Sequence, residues 1–379
     1  MDMPDKKPNQ SVINYHELKV DVEQLPGPDL IEYLKSNILG TPGGIRYKHT
    51  QTHEKLKNLG EAYFLLLRKS GRMLGSIGLC HRQTSFLDQK YTSWYVRYFA
   101  IKAPLKAANP KTGKLMEQSG KGGSLLRLAA APYVNRPGEM LLNLPEGTEK
   151  SLIYAYIEKE NFQSLQFAVQ NDFETVRKFT TYLFSRFFPR KSKNIHRLQE
   201  HEREYVRELL KDFYCDHTLY MDQNLFYRDN YLVCRIKGEI VAGMQANPDG
   251  WEIKDMGGKS GKFLVSVLPY IPLVNRVFNP SKLKFIAGDY IFWRPGYENV
   301  LGQLFETACR INKTRILMTW SDTGSKLIKT FDKHLDQGLI GKSISRVEVD
   351  VKVKFIGFAK EEAEVFFRNP AFVSAFDST

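Results

Sequence analysis

The residues of this chain whose types and spacing suit chemistry lie between Gln118 and Phe173. The run Q-S-G-K-G-G-S-L-L-R-L-A-A-A, Gln118 to Ala131, sets glycines at 120, 122 and 123 ahead of an apolar helical pattern. Glycine lets backbone approach a ligand closely and turn its N–H groups toward it, and the first turn of a helix carries partial positive charge. Gly120, Lys121, Gly122, Gly123 and Ser124 therefore read as an anion cradle suited to a pyrophosphate, with Lys121 as a mobile cation. The alternative is a flexible Gly/Ser turn that merely precedes a helix. The spacing matches neither a P-loop nor the G-x-G-x-x-G dinucleotide pattern. Farther along, Ser151 to Phe173 joins a short apolar strand to a helix through E-N-x-x-S, bringing Asn161 and Ser164 to the helix start.

The elements that must position these groups are strands. W-Y-V-R-Y-F-A-I-K, Trp94 to Lys102, is strand-like and precedes the cradle; Tyr63 to Cys80 reads as two apolar strands around a Ser-Gly turn. The connector after Lys102 holds Pro104, Pro110 and Gly113 with lysines at 102, 106, 111 and 114, and reads equally as a lid over an acceptor or as a solvated loop.

Strand, Gly-rich loop, helix, strand, then N-x-x-S and a closing aromatic: this order resembles the GNAT superfamily of N-acetyltransferases, over about residues 10 to 190. The resemblance implies acetyl-CoA as co-substrate. It places the pantetheine arm beside Phe99, Ala100, Ile101 and Lys102, the pyrophosphate on Gly120 to Ser124, and Asn161 and Ser164 at the cofactor. Phe173 matches the aromatic of the family's closing Gly-Phe, whereas Asp172 replaces the glycine. Ala168 stands where many members carry a tyrosine that protonates the departing sulfur. A thiol with a pKa of about 8.5 leaves readily as thiolate, so loss of that acid costs on the order of a hundredfold. An amine with a pKa near 10.4 must lose a proton before it attacks. His81, at the end of the third-strand candidate, and Tyr98 are the candidate catalytic groups by position, although a lone histidine is more often an ordinary surface imidazole.

A length of 379 residues implies two domains, with a break where Arg186 to Asn194 turns basic and polar after a proline. Beyond it the pattern repeats. Tyr231 to Met244 is again strand, Lys-Gly turn, strand; then follow F-I-A-G-D-Y-I-F-W, a helix from Val300 and the strand R-I-L-M-T-W-S-D. The expected fold is α/β, with two tandem GNAT-like domains (residues 1–190 and 195–379), each a mixed, mainly antiparallel sheet flanked by helices. The second copy lacks a glycine cradle, and Pro295 removes an N–H donor where donors are needed, so only the first is expected to bind CoA.

The net charge of +13 favours an anionic partner, but its cations are dispersed and no nucleic-acid motif accompanies them, so sequence-specific nucleic-acid binding is not expected. Four scattered cysteines and eight histidines show no metal-ligand spacing, and no metal is expected. No run of about eighteen apolar residues occurs, which fits a soluble cytoplasmic protein with no membrane span. The resulting expectation is an acyl-CoA dependent N-acyltransferase moving acetyl to a small-molecule or peptide amine. A non-catalytic CoA- or anion-binding protein and an aminoacyl or long-chain acyl transferase of the same architecture are the alternatives.

Overall fold

Hydrophobic alternation and two glycine hairpins lay down most of the strands. The computed structural model describes residues 10–15, 17–41, 44–101, 121–147, 149–257, 270, 275–344 and 346–379. Its first half runs β1 (Gln10–Tyr15), β2 (Leu18–Glu23), α1 (Pro28–Ser36), β3 (Arg46–His49), α2 (Thr52–Lys57), β4 (Ala62–Lys69), β5 (Arg72–Phe86) and β6 (Gln89–Ile101). After these come α3 (Lys121–Asn135), α4 (Pro137–Leu142), β7 (Ser151–Glu158), α5 (Phe162–Gln170) and β8 (Glu174–Ser185). The second half holds β9 (Ile195–Arg197), α6 (Arg203–Phe213), β10 (Tyr231–Ile236), β11 (Glu239–Asp255), β12 (Leu283–Trp293), α7 (Val300–Ile311) and β13 (Ile316–Asp322). It closes with α8 (Lys326–His334), α9 (Gly338–Ser343), β14 (Glu348–Ile356), α10 (Lys360–Arg368) and α11 (Ala375–Ser378).

Among the described residues all 14 strands belong to one sheet, in the order β1-β2-β4-β5-β6-β7-β14-β8-β13-β12-β11-β10-β9, with β3 paired to β11. Every pairing is antiparallel except β6–β7 and β12–β13, which are parallel. The repeat seen in the sequence is present in backbone detail. The β4–β5 hairpin turns at Ser70 and Gly71 with φ of 46° and 78°, and β10–β11 at Lys237 and Gly238 with 52° and 87°. Two consecutive positive φ values make the turn whose twist matches paired strands. Each repeat then carries a bulge at the matching place: between Ser76 and Gly78 against β6, and between Gly243 and Gln245 against β12.

The halves are not separate sheets side by side. Strand β14, from the end of the chain, lies between β7 and β8, and β8 pairs with β13. One apolar cluster fills the α3/α5 side of the first half with Leu65, Leu79, Trp94, Leu126 and Phe167, and another fills the second half. The third spans both, uniting Phe64 and Tyr98 with Trp251, Phe285, Val351 and Phe376.

Candidate functional site

Strands β6 and β7 run parallel only from Thr92↔Ser151 to Tyr95↔Tyr154. Beyond that point β6 continues to Ile101 still paired to β5, and β7 continues to Glu158 still paired to β14 on its other edge, so a fork opens between two parallel strands. Backbone N–H and C=O groups on an unpaired strand edge are strong hydrogen-bonding groups that seek partners.

The bulge decides what faces the fork. Trp94 packs in the α3/α5-side cluster, and strict alternation would send Tyr98 to that same side. Instead Tyr98 adopts φ 54° and packs in the cluster shared by both halves, with Ala100, while Phe99 and Ile101 return to the α3/α5 side. An extra residue in one strand does this, and it re-aims side chains. Two consecutive side chains, Arg97 and Tyr98, thus share one face, with the guanidinium carbon 4.8 Å from the ring centroid. Ser76 Oγ donates to the Tyr98 carbonyl at 2.9 Å and Tyr33 Oη to the Ala100 carbonyl at 3.2 Å, fixing the kinked segment. Across the fork Phe99 meets Phe167 of α5 with ring centroids 5.2 Å apart.

The candidate residues fall as follows. Phe99, Ala100 and Ile101 form the open arm of the fork. Lys102, Gly120 and the connector between them lie outside the described residues, and Lys121, Gly122, Gly123 and Ser124 form the first backbone turn of α3. Asn161 is the N-cap of α5, its Oδ1 accepting from the Ser164 N–H at 3.1 Å. Asp172 takes φ 59°, the left-handed conformation for which glycine is favoured and which Asp tolerates. Ala168 is 1% exposed in the core.

His81 and Tyr98 are not brought together. His81 stands opposite Trp94 in the ladder and lies tilted against it, ring centroids 4.8 Å apart, with Nδ1 2.7 Å from Glu61 Oε2. Tyr98 lies on the other face of the sheet, and burial pushes its hydroxyl up to about 12. A phenol of that pKa holds its proton at neutral pH.

Beside Tyr98 the structure assembles groups that the sequence reading did not single out. A small cavity, with free space for about one water-sized group, is lined by Leu34, Leu39, His49, Thr52, Lys55 and Tyr98. Lys55 Nζ is 2.7 Å from Asp249 Oδ2, both buried, and also bonds Thr379 Oγ1. Burial brings the Lys55 ammonium down to about 8 against the pull of Asp249. Burial and then the Lys55 charge hold His49 well below its ordinary value, so it is a neutral imidazole, and its Nδ1 has no partner. Arg82 bonds Asp377 at 3.0 Å, and Arg97 donates to the Phe376 and Thr379 carbonyls. Lys55 and Asp249 are 194 positions apart in the chain, and no local pattern links them.

The second repeat has its own fork. Strands β12 and β13 pair only from Ile286↔Leu317 to Gly288↔Thr319, and Tyr290 has φ 47°. Here a later segment of the chain packs beside the gap. Ala371, Phe372 and Val373 line the cavity with Tyr290, Thr319 and Trp320, and Asp289 accepts from Ser374 Oγ at 3.0 Å and the Ala375 N–H at 2.8 Å. Close by, Asp216, His217 and Ser325 form a hydrogen-bonded series with spacings of 2.7 and 2.9 Å. Ser325 is fully buried and caps α8 through the Leu327 N–H, so its hydroxyl is a structural group and not an accessible nucleophile. Among the described residues no cluster could hold a metal ion, and no helix is long and apolar enough to cross a membrane.

No protein-family model matches the chain, and neither does any curated sequence. Solved structures do resemble it. Saccharomyces cerevisiae N-myristoyltransferase with bound myristoyl-CoA superposes at a TM-score of 0.56, with 8% identity, over 96% of this chain and 92% of that one. A second structure of the yeast enzyme with bound myristoyl-CoA gives 0.56 at 10% identity over 97% and 89%. A GCN5-related N-acetyltransferase from Sphaerobacter thermophilus is more distant, at 0.45 with 12% identity over 80% and 85%. The chain therefore has the fold of the yeast N-myristoyltransferase structures, a GNAT-like fold, with its strand pattern repeated in the two halves of one sheet.

Proposed function

We propose that this chain is an acyl-CoA dependent N-acyltransferase whose first half, residues 1–190, holds the donor and moves acetyl from acetyl-CoA to a primary amine. The observation that carries this is the fork between β6 and β7 with its bulge at Tyr98. An acyl-CoA arm is an extended chain with amide groups, and the free edge of β6 offers it strand-like hydrogen bonds. A thioester carbonyl laid there meets fixed N–H dipoles, and such preorganised donors are worth several kcal/mol to a developing oxyanion. The glycine-rich first turn of α3 supplies N–H groups and a helix dipole for the pyrophosphate. Asn161 and Ser164, at the start of α5, complete the proposed cofactor contacts. The second half, residues 195–379, has 371–373 packed beside its fork and is assigned no cofactor.

A longer acyl donor is the second reading, supported by the full-length resemblance to an enzyme that binds myristoyl-CoA. Thiol release measured with acetyl-CoA and with tetradecanoyl-CoA across a panel of primary amines decides between the two. Amine-dependent release with acetyl-CoA is expected. Release with neither donor overturns the catalytic reading and leaves a binding protein.

A further inference from the structure

The cavity beside Tyr98 contains a buried ring nitrogen, His49 Nδ1, with no hydrogen-bond partner. A buried polar atom without a partner is costly to keep, which argues for a use. Tyr98 links this cavity to the fork, because it is both the bulge residue of β6 and part of the cavity wall. A group seated between His49 and Tyr98 is therefore next to the strand edge proposed to hold the thioester.

The charge around the cavity selects what can sit there. Lys55 from α2, Arg97 from β6 and Asp249 from β11 act on the His49 ring, and the two cations oppose its protonation against one carboxylate that favours it. A field of that sign disfavours an ammonium and favours a neutral amine. The free space takes one amino head and no more, and Leu34 and Leu39 make the wall beside that head apolar.

Resting on the acyltransferase reading above, we propose that this cavity is the acceptor pocket: it takes the head of a primary monoamine with an apolar stem, and His49 Nδ1 receives the amine proton. In the step, the amine nitrogen bonds to the thioester carbon, the C–S bond breaks, CoA departs as thiolate, and the displaced proton goes to the neutral imidazole and then to solvent. The positive surroundings make His49 a weak base, yet the ammonium formed on attack is a far stronger acid than a free one. A second cationic group on the acceptor is repelled by Lys55 and Arg97.

The test compares n-butylamine with 1,4-diaminobutane as acceptors for the whole protein, and repeats the n-butylamine assay with His49→Gln. The wild type is expected to favour n-butylamine at least tenfold in kcat/KM. His49→Gln is expected to lose about a hundredfold in kcat with the KM for acyl-CoA unchanged. Equal use of the diamine, or a full kcat in the variant, overturns the assignment. If the wild type transfers no acyl group, the acyltransferase reading fails, and the pocket is judged separately by titrating n-butylamine against the His49 ring 15N signals. A saturable shift supports the pocket without the activity, and an unmoved signal overturns it; the same titration decides if His49→Gln does not fold.

Discussion

Asn161 shows how a single side chain can satisfy two accounts. Its Oδ1 accepts from the Ser164 N–H, the ordinary work of a helix cap, and truncation of such a cap costs about 1 kcal/mol. Asn161→Ala is therefore expected to lower the melting temperature, and if the side chain also holds the cofactor arm, to weaken acetyl-CoA affinity in calorimetry as well. A lower melting temperature with unchanged affinity would make it a cap alone. Ala168 answers a different question. With 1% exposure it has no room for a tyrosine, and overpacking costs about 1–3 kcal/mol. Ala168→Tyr is expected to destabilise the protein, seen as a lower denaturant midpoint, and not to restore the acid that many GNAT members carry. Asp289 adds a pH signature. Burial raises its carboxyl to about 7, outweighing the hydrogen bonds from Ser374, Tyr290 and Ala375 that favour ionisation. The folded protein thus binds this proton more tightly than the unfolded chain does. Its contribution is fully present below the unfolded pKa near 3.9 and is lost as pH rises through about 7. Denaturation at several pH values should show wild-type stability falling between about pH 4 and 7 relative to Asp289→Asn and levelling off above; parallel curves would contradict the assignment.

At the scale of elements, much was legible because local chemistry dictates it. Both hairpins stand where Ser-Gly and Lys-Gly were read as turns, since the glycine of each pair takes a positive φ without a Cβ penalty. The strand and helix after Ser151 are likewise in place. The bulge at Tyr98 was not legible. Its residues alternate as in any strand, and the flip of Tyr98 away from His81's face arises only from the register with β5. The cavity lined by His49 and Lys55 was hidden for a similar reason: α2 reads as a short charged helix, and the partner of Lys55 comes from the second half. The segment packed beside the second fork yields an element-scale outcome. Phe372 packs against Tyr214, Tyr220 and Tyr290 with centroids 5.1, 5.2 and 5.3 Å away, and Phe-to-Ala truncations at such sites cost roughly 3–5 kcal/mol. Phe372→Ala should lower stability by an amount in that range; a change below about 1 kcal/mol would mean that the segment is loosely packed.

For the whole molecule, the sequence reading of a tandem repeat captured the plan of the halves but not their union. Strand β14 carries alternating Val351 and Val353 in a stretch too short to announce its destination, and it enters the sheet between β7 and β8 of the other half. Residues 1–190 alone would leave β7 and β8 with exposed edges and the shared core open, so that fragment is expected to show no dispersed NMR spectrum until residues 195–379 are added. A folded, soluble fragment would contradict this interdependence. The most direct test of the account as a whole is calorimetric titration of the full chain with acetyl-CoA. One site per chain is expected, abolished by Gly122→Asp, which sets a carboxylate against the phosphates at the start of α3. Two equivalent sites, or unchanged binding in the variant, would contradict the claim that the first fork alone holds the donor.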